Sequence, residues 1–359
     1  MSVKILFLVP YPLNESPSQR FRFEQYLPLL KKENIEFKIQ SFANVRNWKI
    51  FYTRGNILKK AAFIISGIAK RTAILLEVPA YDYVFIHREV TPIGPPLFEW
   101  IIGVFLKKKI IYDFDDAIWM TERPDESLIR QTIKWRIKVK SICRWSYKIS
   151  CGNLYLCDYA YRYNHNIYLN PTTIDTDDLH NPSLHPAKKS GRIVIGWTGS
   201  HSTLNYLLLV KGILKEIEDS YANVDMMVIA DREPDLGLKR MIFRPWSRET
   251  EIADLSQMDI GIMPLTDDKW AQGKCGFKAL QYMAMEIPVV ASPVGVNTMI
   301  INHGFNGYLA NNVEDWVNYL KLLIEDTSAR KETGRLGREE VLRNYSVRSN
   351  ASNFRSLFT

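Results

Sequence analysis

The chain has 359 residues, 46% of them hydrophobic and 24% charged, enough apolar surface for packed cores and too much for a disordered or fibrous protein. The longest apolar stretches, Ala61 to Ala69 and Leu97 to Leu106, reach about half of the ~20 residues that cross a bilayer, and Met1 to Pro12 has no small-residue cleavage site, so a cytoplasmic protein without a span or leader is expected. The net charge of +8 lies wholly in residues 1–180, with 26 basic against 18 acidic residues; residues 181–359 balance at 21 against 21. Such asymmetry points to an anionic partner for the first half: a lipid headgroup, a phosphorylated substrate or nucleic acid. Cys143, Cys151, Cys157 and Cys275 show no Cys-x-x-Cys spacing and share no ligand spacing with the histidines, so neither disulfides nor a metal site is expected.

In chain order, Lys4 to Val9 is an unalternating run of Ile, Leu, Val and Phe, the pattern of a strand buried on both faces of a parallel sheet. A polar loop, Asn14 to Ser18, leads to a helix over Arg20 to Lys32 and a strand over Glu36 to Ser41. Tyr83 to His87 and Lys109 to Tyr112 read as further buried strands, separated by a helix over Pro96 to Leu106. Strands alternating with helices imply a doubly wound α/β domain. Asn181 to Gly191, with its prolines, lysines, serine and glycine, reads as a linker. A second α/β pattern follows. Its strands are Arg192 to Trp197, Asp225 to Ala230, Asp259 to Met263 and Val289 to Ser292. Its helices are Leu204 to Ile217, Glu249 to Gln257, Phe277 to Met285, Val313 to Glu325 and Ala329 to Arg343. The expected domains are 1–180 and 192–340, with 341–359 forming a terminal helix that packs back towards the first.

The segment from Gly273 to Gly295 is a helix leading into a buried strand. Phe277, Leu280, Met283 and Ala284 form its apolar stripe, and Lys274, Lys278 and Gln281 fall at i, i+4 and i+7 on the other side. Gly273 and Gly276 leave the first turn uncrowded, so backbone N–H groups and two ammonium groups converge at one helix start. That is either an anion site or an ordinary solvated lysine face.

The sequence here resembles the glycosyl transferase group 1 family of GT4 type. The resemblance rests on Gln281-Tyr-Met-Ala, Pro288-Val-Val-Ala-Ser, Val294-Gly295, Ile300 to Leu309 and the helix from Glu314. Upstream it includes Asp259-Ile-Gly-Ile-Met-Pro264, Ile195-Gly-Trp-Thr-Gly-Ser200 and Ile167 to Asp175. It implies the GT-B architecture, an α/β fold of two Rossmann-like domains facing a central cleft: an N-terminal acceptor-binding domain and a C-terminal nucleotide-sugar-binding domain. It further implies retaining transfer of a sugar from a nucleotide-diphosphate sugar to a hydroxyl acceptor. The donor acts as co-substrate, and no other cofactor or metal is expected. The family's two motif glutamates fall at Gly273 and Gln281, so both carboxylates are missing. The amide oxygen of Gln281 is expected to fill the ribose contact, and the sugar is expected to be held by backbone groups around Cys275, Gly276 and Phe277 or by other residues. The family's diphosphate-gripping Arg and Lys after the Gly199–Ser200 turn are absent too, His201 and Asn205 standing nearby, so Lys274 and Lys278 are expected to take the diphosphate charge.

In the first half, Ser16 to Arg22 occupies the place of the family's glycine-rich loop; Ser18 and Arg20 are expected at substrate, the arginines facing a phosphate. Tyr112-Asp-Phe-Asp-Asp116 closes a buried strand, with Asp115 where relatives often carry a histidine. Asp113 is expected to bind substrate; the three acidic residues could orient an acceptor hydroxyl, act as base or bind a cation, and orientation of the hydroxyl by Asp115 and Asp116 is the favoured reading, unless Asp116 merely caps a following helix. Arg88 is expected in the same cleft. Arg130 to Lys148 and Arg46 to Arg71 interleave cations with apolar residues, which suits either an anionic membrane surface or helices with a solvated basic side. The expected enzyme is thus a hexosyltransferase with Asp115, Asp116, Lys274 and Lys278 as catalytic groups. It would act on a lipid-linked saccharide in cell-surface polysaccharide assembly, peripheral at the inner membrane face. Alternatives are an epimerase or hydrolase of the same architecture, or a non-catalytic lipid- or nucleic-acid-binding relative. No zinc-finger or RNP motif supports nucleic acid, and no Gly-x-Gly-x-x-Gly follows the first strand to support a dinucleotide oxidoreductase.

Overall fold

A computed structural model describes residues 3–46, 48, 55–121, 126–186 and 191–359. The chain divides into two units, Met1–Thr172 with Ala351–Thr359, and Thr173–Asn350.

The first unit is built on six strands, β1 (Lys4–Val9), β2 (Glu36–Ser41), β3 (Tyr83–His87), β4 (Lys109–Phe114), β5 (Lys148–Cys151) and β6 (Ile167–Leu169), in the order β2-β1-β3-β4-β5-β6. Every pairing is parallel, with Phe7 opposite Ile39 on one side and Phe85 on the other. β3 is buried at every position, as a central strand covered on both faces must be. The strands β5 and β6 are not evident from the sequence, because at four and three residues they are too short to carry a strand pattern of their own. Lys148 is buried, and its ammonium donates to the carbonyls of Ser356 (2.7 Å) and Thr359 (2.8 Å).

The helix expected over Arg20 to Lys32 is broken into Pro17–Arg20, a 3-10 turn Glu24–Tyr26 and Leu27–Lys32. Pro28 sits in the first turn of the last piece, where a missing N–H costs least. The chain from β2 to β3 includes a helix Ile57–Ile74, that from β3 to β4 the piece Leu97–Trp100 continuing as a π turn Ile101–Phe105, and that from β4 to β5 the helices Leu128–Lys134 and Lys138–Trp145.

The second unit has β7 (Ile193–Thr198), β8 (Val224–Ala230), β9 (Met241–Pro245), β10 (Ile260–Met263), β11 (Val289–Ala291) and β12 (Tyr308–Leu309), in the order β12-β11-β10-β7-β8-β9. Counted from β7, this is the 3-2-1-4-5-6 order of a dinucleotide-binding fold read from the other edge. Its core packs Trp197, Ile213, Ile217, Val228 and Ile260 against Trp316, Leu320 and Leu323 of the helix Val313–Glu325.

The units meet the sequence-based domains at different boundaries. Residues 173–180 go with the second unit because Arg338 donates to the carbonyls of His180 (3.0 Å) and Thr176 (3.3 Å). Of the expected linker, residues 187–190 lie outside the described residues, and the rest belongs to the second unit. The expected tail is divided at 350. Its last nine residues join the first unit, where Phe354 stacks on Tyr26 at 4.3 Å and Phe358 meets Phe7 and Phe85. Residues 341–350 stay with the second unit, whose bridge pairs Ile174 with Ser346.

Candidate functional site

In a doubly wound sheet a ligand binds outside the carboxyl ends of the strands where their order reverses. In the second unit that point lies between β7 and β10, which pair only at Ile195–Ile260 and Gly196–Gly261 and then part. Tyr282 fills the parting. Its ring crosses Gly261, where a Cβ would lie 2.4 Å from it, and its hydroxyl accepts from the Thr198 N–H at 2.9 Å. The helix Phe277–Ala284, which carries Tyr282, is thereby pinned with its N-terminus at the end of β7.

Gly276 caps that helix at φ +68°, and a Cβ there would meet the Ile300 side chain at 2.3 Å, so the position admits only glycine. Gly199 is equally confined, with the Trp197 ring 2.3 Å from its would-be Cβ. Ser200 caps the following turn, which His201 ties to Asp231 beyond β8 through a 2.5 Å contact. Lys274 lies 5.7 Å over the Tyr206 ring and 5.6 Å over Trp270, and Lys278 lies 5.2 Å over the buried Trp197 ring. Burial, with the like charge of Lys274 added, pushes the Lys278 ammonium down to about 7. No carboxylate among the described residues forms an ion pair with Lys278. A half-buried cation on an aromatic face, next to a second cation and a helix N-terminus, favours an anion that would neutralise it.

The structure corrects the expected helix face. Lys274 precedes the helix rather than lying on it, and Gln281 is 4% exposed, its amide nitrogen 3.3 Å from Nε2 of buried His180. The helix is buried at every position from Ala279 to Ala284, so it has no solvated side for a glutamine to occupy. Sequence reading also passed over Trp197, Tyr206, Trp270 and Tyr282, the rings that frame the lysines and seat the helix. Their signal was present in Ile195-Gly-Trp-Thr-Gly-Ser200, where a tryptophan sits between glycines at a strand end.

In the first unit the order reverses between β1 and β3, and the corresponding residues form two layers. The inner layer is a buried ionic network. Arg22 pairs with Asp113 and donates to the Asn170 carbonyl and, at 3.2 Å, to Ser150 Oγ; Asp113 also accepts from Ser150 (2.6 Å) and contacts His87 Nδ1 at 2.8 Å. Burial alone would raise the Asp113 carboxyl, but Arg22 and His87 outweigh it and hold it well below the usual carboxylate range. Asp113 and Arg22 are therefore internal struts, where a substrate aspartate and a phosphate-facing arginine were expected. Arg20 is buried as well, its guanidinium 5.1 Å over the Phe21 ring, while Ser18 pairs with Ser16 at 3.1 Å.

The outer layer is the strand end itself. Arg88 holds a left-handed backbone at φ 59°, a costly geometry for a side-chain-bearing residue. The Tyr112 hydroxyl donates to its carbonyl at 2.8 Å. Its guanidinium binds Asp115 at 2.7 and 2.9 Å and reaches the Tyr11 hydroxyl at 3.5 Å. Arg88 and Asp115, expected at one place from the sequence, are thus brought together; Asp116 accepts from the Ala117 N–H at 3.0 Å and no helix starts there for it to cap. Among the described residues no group of three or more His, Cys, Asp or Glu side chains is placed to hold a metal ion.

Much of the basic character of residues 130–148 is also internal. Lys138 donates to Thr91 at 2.7 Å and pairs with Glu89 at 2.8 Å, and Arg136 pairs with Glu126. Arg71 is fully buried, donating to the carbonyls of Val9, Gln40 and Val90.

Residues 192–326 match the family described as Glycosyl transferases group 1. No curated protein matches the chain. Among solved structures, the chain is similar to a sucrose-phosphate synthase from Thermosynechococcus elongatus (12% identity, TM-score 0.70) and to a glycosyltransferase from Rickettsia africae (15%, 0.70). It is similar also to Anabaena HepE in complex with UDP and glucose (13%, 0.64), and each alignment covers 99% of this chain and 98% of the other. One unit bears the match to that family, and with two parallel Rossmann-like sheets in succession the chain has a GT-B fold.

Proposed function

We propose that this protein transfers a sugar from a nucleotide-diphosphate sugar to a hydroxyl acceptor, with retention at the anomeric carbon. The observation that carries this reading is the pair Lys274 and Lys278, set on aromatic rings beside the N-terminus of the helix Phe277–Ala284 at the switch point of the second sheet. As the bond from the anomeric carbon to the diphosphate oxygen breaks, negative charge grows on that oxygen. Preorganised ammonium and backbone N–H groups stabilise it there more than in the intact donor. The bond to the acceptor oxygen forms on the same face, and the acceptor proton passes to the departing phosphate oxygen, so no separate protein base is required. In the first unit Asp115, balanced by Arg88, serves to orient the acceptor hydroxyl, with Asp116 beside it. The donor is the co-substrate, and the two cations take the place of a metal at the diphosphate.

HepE, whose structure holds UDP and glucose, makes a uridine donor and a hexose the first to try. The charge asymmetry of the first half supports a lipid-linked saccharide acceptor at the inner membrane face, as in polysaccharide assembly.

The test is thermal unfolding with UDP, GDP, ADP, CMP and TDP, each with and without magnesium. One diphosphate should raise the melting temperature selectively and without magnesium. At a hundred times its dissociation constant it adds about 2.7 kcal/mol, and Lys278→Ala should lose about half or more of that response. A folded protein that responds to none of them overturns the reading. Release of the sugar to water at the same rate with and without acceptor would turn it to hydrolysis.

A further inference from the structure

The first unit carries its exposed apolar side chains in an ordered way. Successive strands β2, β3, β4 and β5 advance across the sheet in one direction, past β1. Right-handed crossovers then put the three connecting helical segments on the same face. Their contacts agree. Arg71 of the helix Ile57–Ile74 donates to the Val90 carbonyl before the second segment, and a Cβ on Gly103 of the second would lie 3.0 Å from the Trp145 carbonyl of the third.

The helix Ile57–Ile74 turns Phe63, Gly67, Arg71 and Ile74 inward. On its opposite side Leu58 (86% exposed), Ala61, Ala62, Ile65 (68%), Ile68 and Ala69 make an apolar stripe at helical spacing, continued by Leu76 (87%). Trp100 and Phe105 of the second segment and Trp135 and Ile137 of the third are exposed in the same manner.

Charge selects the occupant. The helix 57–74 contains no acidic residue, and neither does 128–148; the single one in 97–109, Glu99, is buried. Lys59, Lys70 and Lys107 are exposed among these apolar groups. Exposed aliphatic side chains interleaved with lysines and tryptophans, the nearby acidic Glu77 being paired with Lys38, match the headgroup layer of an anionic bilayer. No helix among the described residues is long and apolar enough to cross one.

We propose that this helical face of the first unit, centred on the outward stripe of Ile57–Ile74, docks peripherally on an anionic membrane. The inference rests on the acceptor part of the proposed function and gives it a place in the fold. The buried cations Lys138, Lys148 and Arg71 have no part in it, being spent on backbone carbonyls.

The experiment is flotation of the full chain with vesicles of phosphatidylcholine alone and with a quarter phosphatidylglycerol. Binding to the second and not the first is expected. Lys59→Glu with Lys70→Glu should weaken it at least twentyfold, each lysine at such a surface being worth about fivefold. Leu58→Ser with Ile65→Ser should abolish it. Both pairs lie on the solvent side, so the melting temperature and its response to nucleotide should stay as in the parent. That response separates failure of docking from failure of the transferase reading. Equal binding by parent and variants, or no binding by the parent to either vesicle, overturns the proposal. So does a parent dimer in solution that Leu58→Ser with Ile65→Ser converts to monomer, which would assign the stripe to a second copy.

Discussion

The two sheet reversals treat charge in opposite ways. In the first unit cations meet carboxylates: Arg22 pairs with Asp113 in full burial, and Arg88 with Asp115 at the strand end. In the second unit Lys278 rests on the Trp197 ring beside another lysine, with its proton loosened. A buried, satisfied pair fixes backbone geometry but has nothing left to offer an incoming ligand. A desolvated cation facing its like is unfavourable until an anion arrives, and that deficit is what turns into binding energy. The first region is therefore read as a scaffold with a narrow reactive rim, and the second as the seat of the negatively charged donor.

Stability is where this contrast should be widest. Arg22→Ala leaves Asp113 buried without its main partner and should cost about 3–5 kcal/mol, seen as a lowered midpoint in urea unfolding. Lys278→Met should be neutral or slightly stabilising in the same assay, because it removes a charge that burial already disfavours. Equal losses from both would erase the distinction.

Ligand affinity should run the other way. Lys278→Met removes a charge-assisted contact and should weaken diphosphate binding by about ten- to a hundredfold, or ~1.4–2.7 kcal/mol, measured by calorimetry with UDP. Asp115→Asn should leave that affinity unchanged, since it belongs to the other region.

The effect that sharpens the comparison most is pH dependence. With its ammonium held down to about 7, Lys278 is charged below that value and largely neutral above it, while the bound diphosphate requires the charged form. UDP affinity should then fall as pH rises from about 7 to 9, approaching tenfold per unit, with proton uptake that grows over the same range. The unliganded fold has the opposite slope. The unfolded lysine keeps its proton up to its ordinary value of 10.5, so between about 7 and that value the unfolded state binds more protons, and stability from this group rises with pH. A flat binding profile, or one that persists in Lys278→Met, would place the titrating group elsewhere.

Much of the architecture is legible in the chain. Strands such as Lys4–Val9 and Tyr83–His87 were plain, for a parallel strand covered on both faces needs an unbroken apolar run and few other structures use one. The helix Val313–Glu325 was equally plain from its 3.6-residue period. Lys148–Cys151 and Tyr308–Leu309 were not, because at four and two residues they owe their form to neighbours already in place rather than to their own composition. The domain boundary was missed by eight residues for a similar reason: Arg338, far along the chain, captures the carbonyls of Thr176 and His180.

For the site the division is sharper. Residue type and spacing determined that Gly276, Lys274 and Lys278 gather at one helix start, and that Arg88 and the aspartates close two strands of one sheet. Only the tertiary structure decided which of those charges are neutralised by an internal partner. Asp113 lies on β4, and Asp115 follows the strand's last residue, Phe114; a continued strand would put both on one face, but the chain leaves the strand between them, so one enters the Arg22 network and the other stays at the rim with Arg88. Sequence records which groups are present; whether a charge is neutralised or held in readiness depends on partners brought from 91 positions away, as Arg22 is to Asp113.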